Sequence, residues 1–171
     1  MGVLIDTLRR QHENIEHFTA ELKASCIHFM ETGELNRKAF REAVAFIRSY
    51  ADEQHHRKEE DGLFAAMLEP LGEPARKLIR GGMLVEHEMA RHLTAELEEA
   101  LDAYEREPSA EHKLEILSAA MGYCQLLKRH IQKENEVVYP FAERALPREV
   151  LEQLDRDRAV QTEKREGSVL A

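Results

Sequence analysis

The segment HIQKENEVVYP, residues 130–140, places a histidine and a glutamate one helical turn apart inside an apolar stripe. His130 and Glu134 belong to a series spaced alternately by four and three residues, which is one face of an α-helix. The other members of this face are apolar or aromatic: Ile116, Ala120, Tyr123, Leu127, Val137 and Phe141. A buried carboxylate without a partner costs several kcal/mol or takes up a proton. The pattern therefore predicts a compensating group beside Glu134.

The composition of the chain narrows the class of protein. The 171 residues suffice for one domain with a substantial core, and the net charge is -9 without any basic block. Nucleic acids and anionic membranes are therefore not expected as partners. No apolar run reaches membrane-spanning length, and the first residues lack the features of a signal peptide. We expect a cytoplasmic protein in which Cys26 and Cys124 are buried free thiols.

The hydrophobic pattern predicts an all-α protein. Sustained alternation of period two is absent, and the prolines fall in a few short stretches that mark the joints between helices. Four long helices are predicted at about residues 3–30, 37–68, 83–106 and 111–144, with a short helix near 75–80 before Gly81 and Gly82. Short joints imply antiparallel neighbours, hence an up-down-up-down four-helix bundle over residues 1–145. Residues 146–171 are predicted to form a charged C-terminal helix or tail.

Each predicted long helix carries a histidine on its core-facing stripe. In the first helix His12 lies between Leu8 and Ile15, and in the third His87 shares a face with Leu97. In the second and fourth helices a glutamate follows the histidine by one turn. The side chains predicted to point into the core are His12, His55, Glu59, His87, His130 and Glu134.

The two halves of the chain repeat at an offset of 75 residues. Two pairs of segments align: HENIEHFTAEL (12–22) with HEMARHLTAEL (87–97), and HHRKEEDGLF (55–64) with HIQKENEVVY (130–139). The first pair is identical at seven of eleven positions, and the second pairs His55 with His130 and Glu59 with Glu134. We interpret the chain as a duplicated helical hairpin with a pseudo-two-fold axis. Inward histidines and carboxylates at equivalent positions suit a pair of metal ions near that axis, which the carboxylates can bridge.

The residue types narrow the choice of metal. Imidazole and carboxylate without thiolate suit iron, or manganese, whereas zinc more often takes a closed tetrahedral set of ligands. Six protein ligands shared by two ions would leave positions open for a small molecule such as dioxygen. The alternative from the same residues is a bundle whose buried polar groups satisfy one another without metal.

The series His12, H55xxxE59, His87 and H130xxxE134 resembles the hemerythrin-like, or HHE cation-binding, domains. The segments HHRKEEDGLF and HIQKENEVVYP are similar to the second- and fourth-helix motifs of that family, and the resemblance runs from about residue 4 to residue 141. It implies a non-haem di-iron centre inside a four-helix bundle. The resemblance further implies that the six inward residues are the iron ligands and that Glu59 and Glu134 bridge the two ions.

One position departs from the family pattern. Oxygen-carrying hemerythrins have a second histidine four residues after the third-helix ligand, where this chain has Arg91. The departure favours the bacterial relatives, some of which are linked to iron-centre repair, nitric oxide or oxidant responses. We therefore expect a di-iron protein that binds or responds to a small oxidant or gas (dioxygen, nitric oxide or peroxide) or handles iron. The alternatives are a di-iron enzyme that turns over an oxidant, peroxidase- or catalase-like or in iron-centre repair, and a metal-free helical interaction module.

Three further histidines have competing interpretations. His56 adjoins a predicted ligand and is either an additional ligand or a residue that flanks the site. His17 and His92 recur at the repeat offset, but each lies about 140° around its helix from the predicted ligand. We expect both to be exposed and to pair with the glutamate one turn before, Glu13 or Glu88.

Overall fold

The computed structural model describes residues 2–157, which form five helices and no strand. Helix α1 is Val3–Thr32. Helix α2 is continuous over 37–68 and contains Arg37–Phe46, the π-helical Ile47–His56 and Glu59–Phe64, and Ala65–Leu68. Helix α3 runs through Gly72–Leu78, the π-helical Ile79–Met83 and Leu84–Arg106. Helix α4 runs through Ala110–Lys133, the π-helical Glu134–Val138 and Tyr139–Ala145, and helix α5 is 148–157.

Capping residues fix where the long helices end and begin. Helix α1 ends at Gly33, which adopts a left-handed φ of 76° and donates its N–H to the carbonyl of Phe29. Asn36 begins α2 by accepting the N–H of Ala39, and Ser109 begins α4 by accepting the N–H of the residue three positions on. Because both joints are short, each helix turns back along the one before it.

Contacts along the bundle show that neighbouring long helices run in opposite directions. Arg9 in α1 donates to Glu143 near the end of α4, and Lys113 near the start of α4 donates to the carbonyl of Met30 near the end of α1. Ion pairs between α2 and α3 follow the same reversed order: Arg41–Asp102, Arg48–Glu98 and Asp52–Arg91. The helices therefore pack as antiparallel neighbours.

The core consists of two apolar clusters separated by a polar layer. The first cluster includes Phe29, Phe40, Leu97 and Ile116. The second cluster includes Ile5, Phe64, Met67, Ile79 and Tyr139. Along α1, Leu8 belongs to the second cluster and Ile15 to the first, and the buried His12 lies between them. Each long helix passes from one cluster to the other in this way, so their inward polar residues share one level of the bundle.

Helix α3 begins earlier than the sequence pattern indicates. The prediction of a separate short helix near 75–80, followed by a break at 81–82, is wrong because α3 continues across both glycines. Ile79 and Met83 lie on either side of the glycine pair and are buried in the second cluster. A helical glycine costs about 1 kcal/mol relative to alanine, whereas burial of a large apolar side chain contributes about 1.5–3 kcal/mol. Burial therefore outweighs the local preference.

The π-helical segment in α4 moves the buried face of the helix by one residue. Val137, predicted on the core face, is 49% exposed, whereas Val138 and Tyr139 are fully buried. A π-helical turn closes with a hydrogen bond between residues i and i+5, so it holds one residue more than an α-helical turn. The placement of Val137 in the core is therefore wrong, since the spacing of three and four fails after Glu134.

Helix α5 packs across the N-terminal end of α1. The N–H of Leu4 donates to Asp155 Oδ1 at 2.8 Å, and Leu151 and Leu154 pack against the second cluster. The prediction of an all-helical bundle is confirmed, but the count of four helices is not, since the described residues form five. Helix α5 lies within the region predicted as a charged C-terminal helix or tail. The remainder of the predicted charged tail, 158–171, lies outside the described residues. Within 2–157, no helix combines the length and apolar character that crossing a membrane requires.

Candidate metal centre

The six predicted side chains meet in the polar layer. Each is at most 2% exposed, and their donor atoms form two groups in which all atoms lie within 4.8 Å of one another. The first group, termed the α1–α2 position, is His12, His55, Glu59 and Glu134. The second group, termed the α3–α4 position, is His87, His130, Glu59 and Glu134. The structure thus brings all six residues together, and the two glutamates belong to both positions.

The two glutamates lie between the histidines of the two positions. Glu134 directs Oε2 to Nε2 of His12 at 3.1 Å and Oε1 to Nε2 of His130 at 3.2 Å. Glu59 Oε2 lies 3.5 Å from Nε2 of His55 and 3.5 Å from Nε2 of the α3 histidine. Each carboxylate therefore faces one imidazole from each position, which is the arrangement that a bridging ligand requires.

A hydrogen bond at Nδ1 orients each of the four predicted histidines. The pairs are His12 with Asn135 at 2.9 Å, His55 with Gln11 at 3.2 Å, His87 with Glu60 at 2.7 Å, and His130 with Glu86 at 2.8 Å. Because the acceptor is an oxygen in every pair, Nδ1 is the donor, and Nε2 is the ring nitrogen directed into the layer. This is the arrangement by which proteins orient imidazole ligands of a metal.

The sequence patterns do not distinguish these four hydrogen-bond acceptors from other polar residues. The 75-residue offset relates them in pairs, Gln11 to Glu86 and Glu60 to Asn135, but it does not distinguish them from other polar residues before the fold is known. That the partners recur at the same offset as the histidines supports the interpretation of the chain as a duplicated hairpin.

His56 joins the α3–α4 position. It is 1% exposed, its ring stacks on that of His87 with centroids 3.9 Å apart, and it groups with His87 and His130 within 4.8 Å. The π-helical geometry of Ile47–His56 widens the turn, so the adjacent His55 and His56 both face inward. Of the two interpretations of His56, this geometry favours that of an additional ligand.

Arg91 lies beside His56 rather than among the donors of the layer. Its guanidinium donates to Asp52 at 2.8 Å and to Glu60 at 2.7 Å. Glu60 in turn accepts from Nδ1 of His87. Arg91 therefore fixes the acceptor that orients an α3 histidine, and the additional imidazole at this level comes from α2 instead of α3.

The donor set fits a metal ion, because several of its buried polar atoms face one another without making a hydrogen bond. Among the described residues, His55 Nε2, both ring nitrogens of His56, Glu59 Oε2 and both oxygens of Glu134 are buried without a hydrogen bond. A buried polar atom without a partner costs about 1–3 kcal/mol. Coordination of a cation would satisfy these atoms together.

The charges of the layer lead to the same conclusion. Burial opposes a charge on His87, but interactions with Glu134 and Glu59 raise its pKa to about 11. Burial acts likewise on His130, whose pKa the charge of Glu134 raises to about 9. Burial and repulsion by Glu134 raise the pKa of Glu59, and burial lowers the pKa of His56 to about 4. When no cation is bound, protons on the imidazoles balance the negative charge of the carboxylates. A bound cation would displace those protons.

Tyr139 provides a hydroxyl at the α1–α2 position. The hydroxyl donates a short hydrogen bond to Glu59 Oε1 and lies 3.2 Å from Nε2 of His12. The residue at the equivalent position of the repeat is Phe64, whose ring stacks near that of His87 with centroids 5.7 Å apart. One position therefore has a phenol group beside it and the other a phenyl ring.

A cavity of about 380 Å³ lies beside His56. Its lining includes Arg48 and Arg91 on the outer side and the buried His56 and Tyr123 at the inner end. The Tyr123 hydroxyl, predicted to lie in the core, is buried there and makes no hydrogen bond among the described residues. The cavity therefore reaches the buried ring of His56, whereas His87 and His130 are not among its lining residues.

His17 and His92 lie outside the layer. Their side chains are 78% and 71% exposed, which agrees with the prediction. The predicted partners are wrong, since each histidine lies near the glutamate four residues after it, Glu21 or Glu96. For His92 the reason is visible, because Glu88 is held by an ion pair with an arginine of the same helix.

Comparison with known proteins supports a cation site. A model of the hemerythrin HHE cation-binding domain family matches residues 3–160, which takes in all five helices. No curated protein and no solved structure matches the chain.

Proposed function

The chain belongs to the family of hemerythrin HHE cation-binding domains, and from that premise we propose that it holds two iron ions, one at each position. The observation that carries the proposal is the sharing of two buried glutamates by two groups of histidines. Two cations so close together repel each other, and carboxylates that bridge them reduce that repulsion.

The donor atoms support iron. The two positions offer imidazole nitrogens and carboxylate oxygens, which suit iron and, as a second choice, manganese. Both cysteines lie with the first apolar cluster, so no thiolate joins either group. His12 and His55 would hold one ion, and His56, His87 and His130 the other, with the glutamates common to both.

We propose that the centre binds or responds to a small oxidant or gas. Bound iron would supply electron transfer and open coordination positions for dioxygen, nitric oxide or peroxide. The protein contributes an approach from one side, since the cavity beside His56 reaches the buried ring of that residue. It also excludes bulk water, because every donor residue is at most 2% exposed. The proposed function includes storage or delivery of iron, because the same donor atoms would hold the ion.

Turnover of an oxidant is the second candidate. It is favoured by Tyr139, whose hydroxyl lies within 3.2 Å of His12 Nε2 and donates to Glu59. A buried hydroxyl at hydrogen-bond distance from the donor residues could act as a proton donor in general acid catalysis. A metal-free interaction module is disfavoured, because it would leave the buried donor atoms without partners.

We place the protein in a reducing compartment such as the cytoplasm. Cys26 and Cys124 are buried free thiols, and burial raises the pKa of Cys26 to about 12, so both sulfurs stay protonated. The net charge of -9 disfavours nucleic acids and anionic membranes as partners.

The test is exposure of anaerobically iron-loaded protein to dioxygen, nitric oxide and hydrogen peroxide in turn. We expect at least one of them to change the visible absorption of the centre. Consumption of one equivalent supports binding or sensing, whereas consumption of many equivalents supports the enzyme. An unchanged spectrum with all three contradicts both candidates. His17→Ala is the matched control, since this histidine is 78% exposed and should leave the response intact.

A further inference from the structure

The imidazoles of the two positions donate to different kinds of acceptor. At the α1–α2 position the acceptors are the neutral amides of Asn135 and Gln11, at 2.9 and 3.2 Å. At the α3–α4 position they are the carboxylates of Glu60 and Glu86, at 2.7 and 2.8 Å. The ionised acceptors therefore make the shorter hydrogen bonds, as expected for charge-assisted pairs.

The acceptors depart from the two-fold repeat that the predicted ligands follow. The 75-residue offset relates His to His and Glu to Glu throughout the predicted ligand set. The same offset relates Gln11 to Glu86 and Asn135 to Glu60, so each acceptor changes from amide to carboxylate between the positions. Gln11 and Glu86 have nearly the same shape and reach and differ in charge, whereas Asn135 is shorter than Glu60 by one methylene group and also differs in charge.

Cations on the outer side hold the two carboxylates in place. Arg91 donates to Glu60 at 2.7 Å, and Lys133 donates to Glu86. The equivalent of Lys133 is Lys58, which donates to Gln11 at 3.2 Å. The two positions therefore share a lysine beside one acceptor, whereas Arg91 is specific to the α3–α4 position, since the equivalent residue of the repeat is Glu16.

A carboxylate that accepts from Nδ1 increases the electron density at Nε2, whereas an amide does so less. His56 adds a further imidazole to the α3–α4 position. We propose that the two positions are unequal, with Glu60 and Glu86 making the α3–α4 position the tighter site for a divalent cation, so that it fills first. This inference rests on the proposed function, because it assumes that both positions take a cation.

The experiment is a titration of apo protein with cobalt(II), a redox-stable divalent ion whose visible absorption reports its ligands. We expect two binding steps whose dissociation constants differ by about 10–100-fold, the usual effect of hydrogen-bond partners on metal affinity. Repulsion between two neighbouring cations also produces two steps, so substitutions of the acceptors are needed to identify the cause.

Two near-isosteric variants exchange the acceptors. Glu86→Gln should weaken the tight step by about 10-fold and leave the weak step in place. Gln11→Glu should strengthen the weak step by a similar factor and bring the two steps together. The two variants should change the metal affinity in opposite directions, whereas general damage to the fold would weaken binding in both. Circular dichroism of each apo variant verifies that it folds.

Glu88→Gln is the matched control for charge. It removes one negative charge from α3, two residues from Glu86, but its side chain is 73% exposed and pairs with Arg91 instead of a ligand. We expect both steps to stay within about twofold of the original, as for other exposed charges.

A single affinity for both ions in the original protein would overturn the inference while leaving the proposed function intact. So would a tight step that Glu86→Gln leaves unchanged, or a weak step that Gln11→Glu leaves unchanged. If neither cobalt(II) nor iron(II) binds, the proposed function itself fails.

Discussion

Removal of the metal should lower the thermal stability of the protein by a large and calculable amount. Each bound ion stabilises the folded state by about 2.7 kcal/mol when its free concentration is 100 times its dissociation constant. Two ions therefore contribute about 5 kcal/mol under such conditions. For a domain of this size each kcal/mol moves the unfolding midpoint by roughly 2–4 °C, which gives a shift of roughly 10–20 °C.

The residues around the two positions cannot replace the stabilisation that is lost when the metal is removed. Glu59 and Glu134 are fully buried at the centre of the layer, and among the described residues the two apolar clusters contribute one hydroxyl to them, that of Tyr139, which donates to Glu59. Without a cation, the carboxylates depend on protons held by His87 and His130. Those protons neutralise charge but leave several buried donor atoms without a hydrogen bond.

The assay is differential scanning calorimetry of loaded protein, of the same protein after chelation, and of protein reloaded with iron(II) without oxygen. The midpoint should fall on chelation and return on reloading. His17→Ala should show the same difference, because it lies outside the layer. A midpoint that chelation changes by less than about 2 °C would refute the clustering of donors described above.

Four further outcomes are expected. Glu59→Ala should empty both positions substantially in metal analysis, since this carboxylate faces both. His56→Ala should lower occupancy of the α3–α4 position and leave the α1–α2 position filled, which a cobalt(II) spectrum can resolve. Phe29→Ala, at a side chain that is fully buried, should cost about 3–5 kcal/mol in urea unfolding without changing metal content. The apo protein should lose stability as the pH rises from 6.5 to about 9. The raised pKa of His130 means that its proton stabilises the folded state fully below pH 6.5 and no longer does so once the pH has passed about 9. Constant apo stability over this range would contradict that assignment.

The sequence predicted the layer because two independent patterns agreed on it. The apolar stripes placed His12 and His87 on core faces, and the 75-residue offset related them to each other. Their burial at 1% and 0% follows from those patterns. Stripe spacing is a property of a regular α-helix, so it predicts well wherever the helix stays regular.

The errors occur where the helices change geometry. Val138 is buried and Val137 is exposed because a π-helical segment adds one residue to the turn. The local sequence gives no sign of that segment. His56 turns inward for the same reason, which the α-helical face did not anticipate. The break predicted at residues 81–82 does not occur, and the cause is different, since burial of neighbouring side chains outweighs the glycine preference.

The hydrogen-bond partners of the ligands could not be ranked from sequence alone. Gln11 and Asn135 are polar residues of ordinary type, and only the fold brings each one to the Nδ1 atom of a histidine on another helix. Which polar side chain reaches a buried ring depends on how neighbouring helices pack, and helical periodicity within one segment does not contain that information.

Metal content tests the central claim most directly. Purified protein, stripped with chelator, loaded with iron(II) without oxygen and freed of excess ion, should contain two iron ions per chain by elemental analysis. Glu134→Ala, which removes a carboxylate common to both positions, should contain markedly less. Two ions per chain in the original protein and their loss in the variant are the predicted result. A content near zero, or a single tightly held zinc, would contradict the account.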